Sequence, residues 1–267
     1  MMAGDIDAFA NFPAPESLSQ FEADPRFNVV IGSTEGETIL AINNAKAPFN
    51  ELKVRQAVAH AIDRQAIIDG AMFGYGTPIG THFSPHHPAY VDLTGKYEYN
   101  PDKARALLKE AGYPDGFKAV IKLPPPSYAR RGGEIVASQL AKIGIQLEIV
   151  PVEWAQWLDQ VFKKTDYDLT IVSHTEPMDI GIYARDTYYF NYHNPEFQKV
   201  IAELSVTADT QARYALMAKA QRILSDDCVN VFMFQLAKHG VWNKDVKGLW
   251  ENSPVQANDL TEVYWAK

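Results

Sequence analysis

The sequence predicts an α/β fold, on three observations. Stretches in which apolar and polar residues alternate take turns with stretches whose apolar residues recur three and four positions apart. Gly and Pro stand where one pattern gives way to the other. The chain has 267 residues, 46% hydrophobic and 22% charged, which suffices for a full core in one large domain or two small ones. Disorder, collagen-like repeats and small disulfide scaffolds are excluded on the same grounds.

In order along the chain, Asn28 to Ser33 and Thr38 to Asn43 read as two strands, with Gly32 and Gly36 marking a turn between them. Val54, Ala57, Val58, Ala61 and Ile62 fall on one face of a helix. Asp63 caps a following helix that carries Ile67 and Ile68 and ends by Gly70 and Gly74. Residues 75–98 have no period and read as a long loop. Asn100-Pro101 opens a helix with Ala104, Leu107, Leu108 and Ala111 as its buried stripe, and Gly112 closes it. Phe117 to Leu123 is a strand. A helix through Ile135, Val136, Leu140 and Ile143 stops at Gly144, and Ile145 to Ile149 is a strand. Trp154, Trp157, Leu158, Val161 and Phe162 line a further helix, their spacing suiting core more than platform. Tyr167 to Ser173 is a strand. Residues 174–193 lose all period. Asn194-Pro195 and then Asp209 open two helices, Val229 to Leu236 and His239 to Asn243 are strands, Asp245 to Gly248 is a turn, and Leu260 to Trp265 is a last strand. Loops as long as 75–98 and 174–193 are usually functional or form interfaces.

The net charge is −8, and no basic run exists beyond pairs such as Arg130-Arg131 and Lys163-Lys164, so a nucleic-acid partner is not expected. The sole cysteine, Cys228, excludes an internal disulfide and Cys-rich zinc sites. No run of about 18 apolar residues is present to span a membrane. Met1 to Asp7 lacks the basic and apolar regions of a secretory signal, so a cytosolic protein or a piece of something longer is expected.

Five separated motifs carry a resemblance. They are Asn43 to Arg64 (NNAKAPFNELKVRQAVAHAIDR), Asn100 to Phe117 (NPDKARALLKEAGYPDGF), Leu140 to Leu147 (LAKIGIQL), the Thr207-x-Asp209-x-x-x-Arg213 step, and the Asp245 to Gly248 turn. Together they resemble the family 5 solute-binding proteins of ABC importers, the dipeptide, oligopeptide and nickel-binding type. The resemblance implies the carboxy-terminal lobe of a type II periplasmic-binding-protein-like fold, a mixed sheet flanked by helices. Residues 1–243 would form that lobe and 244–267 a returning tail that joins an amino-terminal lobe lying outside this chain. It further implies a periplasmic or extracytoplasmic receptor that captures a peptide-like or other polar organic solute (peptide, opine or oligosaccharide) and delivers it to a membrane permease.

Candidate ligand residues follow the strand ending at Ser173, because open α/β sheets hold ligands beyond the carboxyl ends of their strands. His174, Glu176 and Asp179 form the polar step, and in peptide-binding relatives an acidic residue here pairs with the ligand's α-amino group. The relatives' step is often an aromatic and then an aspartate; this sequence has Ser173 and His174 instead. Tyr183, Arg185, Tyr188 and Tyr189 belong to an aromatic loop whose rings and hydroxyls suit a polar organic ligand. Arg55 and Arg64 are expected to serve lobe packing and ion pairing. His82, His86 and His87 lie in a Pro-rich loop without ligand spacing, so neither a metal nor a cofactor is expected. No phosphate loop, nucleophile elbow or His-Glu-x-x-His helix is present, so no enzyme is expected. Two alternatives stay open: a hydrolase of sugars or peptides working through Glu176 and Asp179, and a sensor or interaction module without a transport role.

Overall fold

The computed structural model describes residues 1–176, 178–254 and 259–266; Pro177 of the polar step and part of the expected tail lie outside the described residues. The strands are β1 (Ala8–Phe9), β2 (Phe27–Ile42), β3 (Thr77–Pro78), β4 (Phe117–Leu123), β5 (Ile145–Pro151), β6 (Leu169–His174), β7 (Asn230–Asn243), β8 (Val246–Lys247) and β9 (Tyr264–Trp265). The helices are α1 (Leu18–Glu22), α2 (Leu52–Ala61), α3 (Arg64–Met72), α4 (Pro101–Glu110), α5 (Ser127–Ala141), α6 (Trp154–Trp157), α7 (Pro195–Val206) and α8 (Thr210–Asp226). A π-helical turn, Leu158–Lys163, continues α6, and a 3₁₀ turn, Ile180–Ala184, interrupts the aromatic loop.

The central sheet runs β1-β7-β2-β6-β4-β5, with β3 also paired to β7. β4 is parallel to β5 and β6, while β2 is antiparallel to β6 and β7, so the sheet is mixed as expected. Alternation along β2 supplies both faces. Leu40 and Ile42 enter a core shared with α2 to α5, and Ile39 and Ala41 enter a second core shared with α7, α8 and the aromatic loop. Burial of apolar area in these two layers is the main stabilising term.

Local signals place the helices. Asn100 accepts from the amide of Lys103, Asp63 from Ala66, Asp209 from Ala212 and Asn194 from Phe197, each satisfying an amide that helix geometry leaves free. The Thr207-to-Arg213 motif is a corner between α7 and α8: Arg213 Nη1 donates to the carbonyls of Leu204 and Thr207, both at 2.9 Å. α3 runs through Gly70 and ends at Phe73, whose φ is 56°.

Four expectations are corrected. The two strands expected on either side of Gly32 and Gly36 are one strand, β2, whose pairing with β7 shifts between Ser33 and Glu37. A bulge absorbs the glycines where a turn was expected. Likewise Val229–Leu236 and His239–Asn243 merge into β7. The expected last strand, Leu260 to Trp265, is strand only at Tyr264–Trp265, where it pairs with β8. Arg55 and Arg64 are clamps on carbonyls instead of ion-pair partners: Arg55 donates to Phe49, Asn50, Asp227 and Cys228, and Arg64 to Phe232 and Tyr97.

Beyond the bulge, Phe27–Ser33 and Ala237–Asn243 form a ribbon with its own small cluster of Leu18, Phe21 and Val241. The tail lies back on it. Asn252 accepts from the amide and hydroxyl of Ser33, and Lys238 donates to the Trp250 carbonyl at 2.6 Å. Among the described residues, no helix is long and apolar enough to cross a membrane.

Candidate functional site

β6 ends at His174, directly opposite Glu37 of β2, at the point where the β2 register shifts. The chain then leaves the sheet, and the loop back to α7 wraps over the second core. It is anchored by Ile180, Tyr183, Tyr189 and Phe190, all buried. Tyr167 donates to the Tyr189 carbonyl at 2.8 Å, and the rings of Tyr183 and Phe190 stack with centroids 4.9 Å apart.

This leaves an open pocket of about 400 Å³ beyond the strand end. Of the seven sequence-predicted residues, six line it: His174, Glu176, Asp179, Arg185, Tyr188 and Tyr189. The seventh, Tyr183, lies behind the wall at 2% exposure, its hydroxyl 3.4 Å from Nδ1 of His82. Trp154, Trp157 and Phe162 complete the apolar side. The tryptophans divide the role expected of them. Trp157 is buried and donates its Nε1 hydrogen to Thr170 at 2.9 Å, whereas Trp154 is 41% exposed on the rim. Arg185 sits 5.4 Å from the Tyr188 ring centroid, so its charge is held over an aromatic face.

Asp179 is the electrostatic centre. His82 donates from Nε2 to its Oδ1 at 2.6 Å, and Nδ1 of His174 lies 3.7 Å from its Oδ2. Burial opposes its ionisation, but the two imidazoles outweigh burial and hold the carboxyl well below the usual carboxylate range. The site therefore presents a fixed negative charge among aromatic walls. Glu37, behind it, behaves oppositely: burial first, then the nearby charge of Asp179, pushes its carboxyl well above its ordinary value. Burial likewise pushes the hydroxyls of Tyr188 and Tyr189 upward, so both act as neutral donors or acceptors at neutral pH.

Glu37 escapes the sequence reading, and His82 enters it only as one of three loop histidines without ligand spacing. They stand 142 and 97 positions from Asp179, too far for any local pattern to join them.

Fold and pocket together define a class: an α/β lobe with an open, charged and aromatic pocket beyond a strand end, where such sheets hold their ligands. Over residues 1–196 the sequence matches the family described as bacterial extracellular solute-binding proteins, family 5 middle. The chain belongs to that family. It is 35% identical over 162 residues to heme-binding protein A of Haemophilus influenzae, which covers 59% of this chain and 29% of that protein. It is 26% identical over 253 residues to the dipeptide-binding protein of Escherichia coli, covering 89% of this chain and 47% of that one. Among solved structures, a periplasmic binding protein from Helicobacter pylori in complex with the peptide STSA superposes with a TM-score of 0.88 at 26% identity. That match covers 100% of this chain and 54% of the other. The chain thus spans about half or less of the length of these relatives.

Proposed function

We propose that this chain is one lobe of the extracytoplasmic solute receptor of an ABC importer. It would offer one wall of a cleft, capture a peptide-like or other polar organic solute there, and pass it to a membrane permease. Residues 1–243 supply the lobe, and 244–267 the tail that runs toward a second lobe; the separate β8–β9 pairing supports that division. The observation that carries the reading is Asp179, an ionised, largely buried carboxylate facing a pocket edged by Trp154 and Tyr188. Such a charge has its highest value to a cationic group when closure of a second lobe removes water. The peptide complex of the Helicobacter pylori relative and the name of the Escherichia coli relative favour a ligand with a free amino group. Opines and oligosaccharides are the other solutes to screen. Heme-binding protein A widens the range of cargo found among relatives.

The test is a melting-temperature screen of the full-length receptor against di- and tripeptides, their N-acetylated forms, opines and oligosaccharides. Binding of a free-amine solute, weakened about 10- to 100-fold by Asp179→Ala, supports the reading, since a hydrogen bond to a charged group contributes about 1.5–3 kcal/mol. Unchanged affinity in that variant removes Asp179 from the site, and the absence of any stabilising solute removes the receptor function. One observation favours hydrolysis: oxygens of Glu176 and Asp179 lie within 4.8 Å of each other. Turnover of a bound peptide or sugar that Glu176→Gln abolishes would establish it.

A further inference from the structure

Asp179 is shared by two groups of potential metal ligands. In the outer group His174, Glu176 and Asp179 each place one ligand atom within 4.8 Å of the others on the pocket wall, with only Glu176 exposed. In the inner group Glu37, His82 and Asp179 do the same. The inner group is built into the protein: Glu37 is 2% exposed and His82 1%. The three come from β2, the 75–98 loop and the 174–193 loop, so the fold gathers both long aperiodic segments at this point.

Among the described residues, Glu37 Oε2 has no hydrogen-bond partner. A buried carboxylate oxygen left in that state is costly, and either a proton or a cation must compensate it. The far sides of the histidines are already fixed. The Tyr183 hydroxyl lies 3.4 Å from Nδ1 of His82 and accepts from Asn230 Nδ2 at 3.4 Å, while Nε2 of His174 lies 2.9 Å from the Tyr189 hydroxyl. Each ring is therefore oriented through its outer nitrogen, with the inner nitrogen turned to Asp179. This is how metal-bound histidines are ordinarily held.

We infer that Glu37, His82 and Asp179 bind a divalent transition-metal ion of the zinc class. The fourth position falls to His174 Nδ1 or to an atom entering from the pocket. One imidazole with carboxylates suits Zn²⁺, Co²⁺, Ni²⁺ or Cu²⁺, whereas Ca²⁺ and Mg²⁺ call for oxygen ligands alone. Bonds of about 2.0–2.2 Å require the ligand atoms to draw together, and Asp179 stands on a loop and not within a strand. The inference goes beyond the receptor reading and shares with it Asp179 and, at the fourth position, His174. Its consequence concerns cargo. Two carboxylates and a divalent ion sum to zero, so a metal-loaded wall would prefer a carboxylate or other metal-binding group to an ammonium.

All the ligands belong to this chain, so the 267-residue protein serves for the test. Metal-free protein is titrated with Co²⁺ and followed by visible absorption. The expected result is one equivalent bound with the intense bands of a tetrahedral site, displaced by Zn²⁺. Glu37→Gln and His82→Gln should each weaken binding more than about 100-fold, beyond the 10- to 100-fold seen for outer-sphere partners. Glu134→Gln, exposed on α5 and outside the pocket, should stay near wild type. Should either inner variant fail to fold by circular dichroism, X-ray absorption of the wild-type complex decides, through a nitrogen and oxygen shell at about 2.0–2.2 Å with imidazole scattering. Absence of stoichiometric uptake, affinity unchanged in both inner variants, or only the weak spectrum of a hydrated surface ion overturns the inference. A full-length receptor that takes up a peptide but no metal overturns it too, and leaves the receptor reading standing.

Discussion

Removing the Arg55 side chain should unfold the lobe more readily while sparing the pocket. Arg55 is 8% exposed on α2, and its guanidinium reaches four backbone carbonyls. Nε lies 3.3 Å from the Asp227 oxygen and 3.1 Å from that of Cys228, Nη2 is 2.8 Å from Asp227, and Nη1 is 2.9 Å from Phe49 and 3.1 Å from Asn50. Those carbonyls belong to the segment entering α2 and the turn between α8 and β7, so one side chain ties together two segments far apart in sequence. Arg55→Ala strips a charged donor from all four. At about 1 kcal/mol for each carbonyl, the loss is about 4 kcal/mol. A chain of this length loses roughly 2 °C per kcal/mol, so the melting temperature should fall by about 8 °C. Arg55→Lys keeps the charge but has no fork, and should recover less than half of the loss. Calorimetry of the three proteins, with ligand affinity measured alongside in the full-length receptor, checks this. A fall under about 2 °C, full rescue by Lys, or an affinity loss exceeding the stability loss would refute the clamp.

Two further outcomes are expected. Gly116 has a φ of +74°, and a Cβ there would come within 2.0 Å of the Gly144 carbonyl oxygen, so Gly116→Ala should cost at least about 2 kcal/mol in chemical unfolding. Burial depresses His239 from 6.5 to about 4, so the unfolded chain binds a proton that the folded one refuses. Stability from this residue is complete above about pH 6.5 and declines toward pH 4, by on the order of 3 kcal/mol. His239→Phe should flatten that acid limb in pH-dependent melts, and an unchanged limb would place the titration elsewhere.

What could be read in advance was what acts over three or four residues. Asn100, Asp63 and Asp209 announce their helices because a cap bonds an amide two or three positions on. Phe117–Leu123 matches its expected strand because burial alternates cleanly along it. The polar step His174–Asp179 was legible because it follows such a strand. Glycine misled: Gly32 and Gly36 look like a turn, yet Gly32 is small because the tail's Glu251 carbonyl would sit 1.9 Å from a Cβ there. Arg55 was expected to pack and to form ion pairs; that its acceptors are carbonyls was not legible, because those at 227 and 228 lie 172 and 173 positions away. Tyr183 and Trp157 looked like cleft residues or plain core, but each uses its polar tip inside the wall, a role fixed by His82 and Thr170. Glu37 and His82 complete the Asp179 cluster through tertiary contact alone.

The unbroken length of β2 has a mechanical consequence. The strand starts in the ribbon that carries the tail and reaches the sheet centre without an intervening loop. Its pairing with β7 changes register between Ser33 and Glu37 and again between Thr38 and Ile39. Bending or twisting imposed at the ribbon's far end therefore has a short compliant stretch to settle in, and Glu37, the carboxylate that backs Asp179, lies within it. Any swing of material attached beyond Phe27 is thereby geared directly to the wall of the pocket.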